Sequence, residues 1–299
     1  MNTKTDLKPE MEPDNILELT SGLLPELIIS PAKIKSPRIV VVSNRLPIGF
    51  EKNKENNGEW QIKPSTGGLV TALAPTVKEK QGMWIGWSGI TEEVPELEVL
   101  LNKGGKALGY TMKSVALTPE EYNKYYIGCS NEIIWPLFHD LASRANFDPS
   151  YWTAYETVNR KFAQVIADNT TPDDYVWIQD YHLILAGREL RALSPDRKIG
   201  FFLHIPFPPL DIFLKLPWRQ QILKGLLEYD LVGFQSMRDK NNFLHCVGNL
   251  VKGSCFGVRG QISQVKTPGR GTRVGVFPIS IDFDEFANMA MTEKVKENT

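Results

Sequence analysis

The stretch from Trp177 to Pro208, WIQDYHLILAGRELRALSPDRKIGFFLHIPFP, sets the strongest limit on what this chain can fold into. Tyr175 to Ile178 reads as a buried strand, and Gln179-Asp180-Tyr181-His182 follows at once. Leu183, Leu185, Leu190 and Leu193 then give a helical pattern. Ile199 to Leu203 is a second buried strand, closed by His204-Ile205-Pro206-Phe207-Pro208. Strand, helix and strand in this order form a parallel βαβ unit. Polar residues just past the carboxyl ends of its strands face the ligand crevice. Asp180, His182 and His204 are therefore expected to converge.

The same alternation runs through most of the chain. Arg38 to Ser43 (RIVVVS) is apolar on both faces and reads as a central strand. Ser43-Asn44-Arg45-Leu46-Pro47 follows as a turn, and Glu51 to Gly58 is a polar loop tip, either a hairpin or a flexible flap. Thr66-Gly67-Gly68 opens a helix to about Lys78. Met83 to Trp87 is a strand. Thr118-Pro119-Glu120-Glu121 starts a helix, and Tyr125-Tyr126 and Trp135-Pro136 flank a Cys-Ser-Asn turn. Tyr151 to Ala167 is a long amphipathic helix. Beyond the opening unit come a helix over Trp218–Glu228, a strand over Leu231–Phe234 and a helix over Met237–Leu250. Lys252 to Thr272 reads as a Gly-rich basic loop or hairpin, Val274 to Ile279 as a last strand, and Asp282 to Met291 as a short helix.

The expected fold class is α/β: a Rossmann-like three-layer domain with a mostly parallel sheet. Residues 1–37 read as a leader and linker, with Ile16 to Ile29 as a short helix or docking segment. Residues 38–290 read as the domain and 291–299 as a charged tail.

Composition excludes several classes. Of 299 residues, 42% are hydrophobic and 10% aromatic, and the net charge is −1. No basic surplus points to nucleic acid or an anionic membrane. No apolar run has the length needed to span a bilayer, and the N-terminus has no apolar signal core. Three cysteines, an odd number without a C-x-x-C pair, fit a reducing cytoplasm better than a disulfide framework.

Each candidate carries two readings. Arg45, just past the first strand, reads equally as a bidentate phosphate clamp and as a surface arginine paired with a carboxylate. Gly67 and Gly68 at a helix start offer N–H groups to an anion; alone, an ordinary glycine turn is the better reading. Neither G-x-G-x-x-G nor G-x-x-x-x-G-K-[ST] occurs. Trp84, Trp87, Tyr126 and Trp135 suit sugar stacking, although aromatics more often fill cores, Trp84 above all. Asp180, His182 and His204 are the best chemical candidates, either as groups that bind hydroxyls and move protons or as a hydrogen-bonded structural triad. His182 and His204 lack closely spaced partners for a metal. His139 and His245 read as structural.

Together the segments VVSNRLP (41–47), STGGL (65–69), GWSG (86–89), YYIGCSNEIIWPLFH (125–139), WIQDYHL (177–183), FFLHIPFP (201–208), LLEYDLVGFQ (226–235) and VFPISID (276–282) resemble, in order, the trehalose-6-phosphate synthases. These are retaining glycosyltransferases of the GT-B fold. The resemblance implies transfer of glucose from UDP-glucose to glucose-6-phosphate, giving α,α-trehalose-6-phosphate, with no cofactor or metal. It places Arg45, Trp87, Tyr126, Trp135 and Asp180 at the acceptor and Gly68 and His204 at the donor. Asp180 and His204 lie nearest the chemistry, with His182 behind them. It also implies that this chain is the N-terminal, acceptor-binding half, with residues 291–299 at the crossover. A donor domain or partner subunit would complete the site, and a homo-oligomer is one form that partner takes. Gln179 departs from the histidine that family members often carry before Asp-Tyr-His. Two other readings stay open: a stand-alone sugar-phosphate-binding or regulatory module, and a related transferase with another phosphorylated acceptor.

Overall fold

The computed structural model describes residues 37–52, 59–65, 67–259, 261–280 and 283–291. The proposed leader segment, Ile16 to Ile29, the tip of the polar hairpin, Thr66 and Asp282 lie outside these residues. From Pro37 onward the chain forms one compact unit.

Eleven strands follow in chain order: β1 Ile39–Arg45, β2 Ile48–Lys52, β3 Trp60–Pro64, β4 Met83–Trp87, β5 Thr111–Ser114, β6 Tyr175–Gln179, β7 Lys198–Leu203, β8 Leu231–Phe234, β9 Cys255–Arg259, β10 Ile262–Thr267 and β11 Arg270–Val276. Nine of them make one sheet in the order β5-β4-β1-β6-β7-β8-β11-β10-β9. Pairing is parallel from β5 through to β11. β10 pairs antiparallel with both β11 and β9. The strands β2 and β3 form a separate hairpin.

Burial on both faces explains the apolar runs. Val40, Val41 and Val42 of β1 are at most 1% exposed, and every residue of β4 is buried. Trp84 is fully buried and donates its indole N–H to Ser43 Oγ at 2.8 Å, so it is core, as its sequence reading holds. Helices Pro149–Asn169, Ala186–Leu193, Arg219–Leu226 and Met237–Leu250 contribute buried side chains to one large apolar cluster. A smaller cluster joins Val41, Val77, Trp84, Leu101 and Met112 on the other side. The α/β reading with a mostly parallel sheet is what the structure has.

Two local expectations are corrected, and two elements were not expected. The Cys129-Ser130-Asn131 segment is not a turn. It lies inside a continuous run, Tyr122–Ile134, wound wider than an α-helix, and its end is marked by Trp135 N–H bonding back to Ser130 O. The Thr118 capping box starts this segment as expected, with Glu121 N–H on Thr118 Oγ1 at 3.1 Å and Thr118 N–H on Glu121 Oε2 at 2.8 Å. The Lys252–Thr272 stretch takes the hairpin form of its two readings: β9 and β10 pair antiparallel and extend the sheet. The last strand is Arg270–Val276, displaced toward the N-terminus from the expected 274–279. The helix Leu97–Leu108 and the strand β5 escape the sequence reading.

Candidate functional site

Because β4, β1, β6 and β7 run parallel, their carboxyl ends meet on one edge of the sheet. They deliver Trp87, Arg45, Gln179-Asp180 and His204 there. This is where an open parallel sheet builds its ligand crevice.

Arg45 is exposed, and its guanidinium carbon lies 4.8 Å from the Trp87 ring centroid. Trp87 is 3% exposed and donates its indole N–H to Ile90 O at 2.9 Å, which fixes the ring. Gly89 adopts φ +90, and a Cβ there would overlap the Arg45 guanidinium. The arginine therefore packs over bare backbone, a place only glycine allows.

A line of rings continues from this pair. Trp87 meets Tyr122 at 4.9 Å, Tyr122 stacks on Tyr126 at 5.4 Å, and Tyr126 stacks on the His182 imidazole at 5.6 Å. Tyr181 closes the row at 3.9 Å from His182, and its hydroxyl donates to Asn131 Oδ1 at 2.9 Å. The widely wound helix thus supplies both middle rungs and the anchor for the last. Trp135, at the end of that helix, is 38% exposed and stacks on His139 at 4.1 Å. Its ring partner lies outside the row.

Asp180 sits at φ 71, ψ 169, a conformation that L-residues with a side chain rarely adopt. Its N–H donates to Phe202 O at 2.8 Å, and Asp180 Oδ1 accepts the His204 N–H at 3.1 Å. Burial raises its carboxyl to about 6, against the pull of the backbone N–H groups of Tyr181, His204 and Ile205. Burial also lowers His182 to about 3 and His204 to about 4. Both imidazoles are neutral at pH 7.

The loop after β6 is pinned from below by buried hydroxyls and an amide. Tyr155 donates to Tyr181 O at 2.6 Å and accepts from Ile184 N at 3.2 Å. Asn159 donates to His182 O at 3.1 Å and accepts from Leu185 N at 3.1 Å. Tyr229 donates to Leu183 O at 2.9 Å and accepts from Gly187 N at 2.9 Å. These satisfied polar groups hold the strained Asp180 in place.

Beside this loop lies a cleft of about 860 Å³, lined by Gly68, Thr71, Trp177, Gln179, His204 and Gln235 among others. Gly68 is the first residue of the helix Gly68–Glu79, which has no side-chain cap. At Gly67 and Gly68 a Cβ would meet nothing within 4 Å. The helix start is therefore uncapped, with open space around both glycines, and a helix start of this kind can receive an anion. Among the described residues no group of three or more His, Cys, Asp or Glu side chains is arranged to hold a metal.

The structure thus joins Arg45, Trp87, Tyr126 and His182 in one row, links Asp180 to His204 through the backbone, and places Gly68 and His204 on one cleft. The sequence reading had no role for Tyr122, Asn131, Tyr155 or Asn159. Tyr122 had a visible signal, since it stands four residues before Tyr126 on the same helix.

The family model for glycosyltransferase family 20 matches residues 37–299. Trehalose-6-phosphate synthase from Mycolicibacterium smegmatis is 41% identical over 262 residues, covering 86% of this chain and 50% of that protein. The enzyme of that name from Mycobacterium leprae is 38% identical, covering 86% of this chain and 52% of its own length. Among solved structures, an α,α-trehalose-phosphate synthase (UDP-forming) from Burkholderia xenovorans, in complex with glucose-6-phosphate, superposes with a TM-score of 0.71 at 30% identity, covering 87% of this chain and 54% of that one. An Escherichia coli structure bound with UDP-2-fluoro glucose gives 0.70 at 32% identity, covering 87% and 53%. The chain spans about half the length of the curated relatives it matches. With the family model spanning the whole folded unit and these relatives on either side of it, the chain belongs to glycosyltransferase family 20.

Proposed function

We propose that this chain is the acceptor-binding half of a trehalose-6-phosphate synthase, which transfers glucose from UDP-glucose to glucose-6-phosphate. The observation that carries the reading is the meeting of two subsites at one sheet edge. One is a guanidinium held over an aromatic row, and the other is a cleft between an uncapped helix start and His204.

The acceptor phosphate pairs with Arg45, whose planar fork matches phosphate oxygens. Trp87, Tyr126 and Trp135 wall the sugar, and Asp180, ionised at neutral pH, accepts hydrogen bonds from its hydroxyls. The donor diphosphate lies at the Gly68 N–H groups and the donor glucose beside His204. In the transfer, the bond between the donor anomeric carbon and the diphosphate oxygen breaks. A new bond forms from that carbon to the anomeric oxygen of the acceptor on the same face. The acceptor proton passes to the departing diphosphate, so no protein nucleophile, metal or prosthetic group takes part. The protein contributes positioning and charge stabilisation, and His182 keeps the Tyr126 and Tyr181 rings in place. The half of the relatives that this chain does not span completes the donor site, whether as a continuing domain or as a partner. The three free thiols fit a cytoplasmic setting.

The experiment is incubation of the chain with UDP-glucose and glucose-6-phosphate, alone and with a separately produced donor half of a relative. UDP and trehalose-6-phosphate are measured together. Matched release of both supports the reading. If glucose-6-phosphate binds but no product forms with the donor half present, the chain is a sugar-phosphate-binding module. Product with another phosphorylated acceptor in preference would reassign the acceptor.

A further inference from the structure

Gln179 ends β6 and is 1% exposed. Its amide nitrogen donates to Trp177 O at 3.3 Å, and its amide oxygen lies 3.0 Å from His204 Nε2. Turning the amide over would set two acceptor oxygens, those of Gln179 and Trp177, against each other. The carbonyl therefore decides which end of the amide faces the histidine. An amide oxygen only accepts, so His204 Nε2 must carry the hydrogen. The imidazole holds a single proton at neutral pH, because burial lowers its pKa to about 4. Nδ1 is then an unprotonated acceptor. Gln179 and His204 line the same cleft.

We propose that Gln179 is a positioning residue that locks His204 in the Nε2–H tautomer. In that tautomer Nδ1 carries only a lone pair, so any hydrogen bond it makes to a ligand is one it accepts, from a hydroxyl and not from a phosphate oxygen. The inference rests on the reading of the cleft as the sugar-donor subsite. Within that subsite Gly68 and the helix start take the anion, and Gln179 sets which ring nitrogen of His204 can donate.

The test is a long-range proton–nitrogen correlation spectrum of the 299-residue chain labelled with ¹⁵N-histidine. Only four histidines contribute, and His204 is assigned by the loss of its signals in His204→Phe. The expected wild-type pattern for His204 is a protonated Nε2 and an unprotonated Nδ1. Gln179→Met fills similar space without an acceptor and should lose this pattern, giving averaged shifts. A protonated Nδ1 in the wild type overturns the proposal. So does an unchanged pattern in Gln179→Met, provided that a cooperative melt shows this variant folded; if it is not, Gln179→Leu takes its place. The spectrum is read without ligand, so failure of the glucosyl-transfer reading appears separately, as absent product with the tautomer intact.

Discussion

The main-chain N–H of His204 donates to Asp180 Oδ1 at 3.1 Å, so the loop that follows β7 caps the carboxylate that follows β6. The acid is thereby buried and held at φ 71, with its carboxyl raised to about 6. The folded chain binds a proton at Asp180 more readily than the unfolded chain does. Its contribution favours folding below the ordinary carboxylate pKa and is lost as pH rises through about 6. Asp180→Asn should therefore be more stable than wild type at pH 7.5, by an amount on the order of 1 kcal/mol, and show no advantage at pH 4. Urea denaturation at the two pH values checks this. In the proposed transfer assay with the donor half added, the same variant should lose product, since the charge proposed to accept the sugar hydroxyls is gone.

The two buried imidazoles act in the opposite direction. His182 is lowered to about 3 and His204 to about 4. Their contribution is present above the ordinary histidine value and is lost as pH falls toward these values, because each must take up a proton on unfolding. His182→Phe keeps the ring between Tyr126 and Tyr181 and removes the titration. The expected result is a shallower loss of thermal stability between pH 6.5 and pH 4 than in wild type, measured by calorimetry.

Gly89→Ala should weaken glucose-6-phosphate binding even though residue 89 is assigned no ligand contact. An added Cβ strains a φ of +90 and occupies the volume of the Arg45 guanidinium. The arginine must leave its seat over Trp87. A loss of roughly ten- to hundredfold in affinity is expected, equal to about 1.4–2.8 kcal/mol and comparable to removing a charged hydrogen bond. Arg45→Ala should give a similar loss and Arg45→Lys a partial one, since an ammonium cannot reproduce the fork. Isothermal titration with glucose-6-phosphate reads all three.

Tyr122→Ala should cost about 0.5–1.5 kcal/mol per lost ring contact and lower glucose-6-phosphate affinity by severalfold, because Trp87 and Tyr126 both lean on this ring. Tyr122→Phe should match wild type in the same titration, since the ring, and not the hydroxyl, makes both contacts.

The central strands β1, β4, β6, β7 and β8 were legible because burial on both faces leaves unbroken apolar runs, as in Val40–Val42 and Ile199–Leu203. Arg45, Asp180 and His204 were legible as site candidates for the same reason, as polar residues directly after such runs. Cys129-Ser130-Asn131 was misread because small and polar residues signal turns, while the wide winding of that helix comes from its packing and leaves no periodic signature. Helix Leu97–Leu108, with its Gly104 and Gly105, was missed because glycine hides helical spacing. Yet Gly105 is where a Cβ would strike Tyr110 O, so close backbone packing requires it. Asn159 and Tyr155 were unreadable as props, since nothing in the order of residues links them to a loop more than twenty positions away.

Strand β1 lies between β4, which comes later in the chain, and β6, which comes much later still. Arg45 meets Trp87 only after β1 and β4 have paired, and Asp180 meets the His204 N–H only after β7 has joined β6. These are non-local pairings, and they are reached late when a chain closes its loops. A collapsed intermediate with its helices formed would hold every candidate residue and yet bind nothing. Recovery of sugar-phosphate binding during refolding should therefore lag behind recovery of helical circular dichroism, and so time the closing of the sheet.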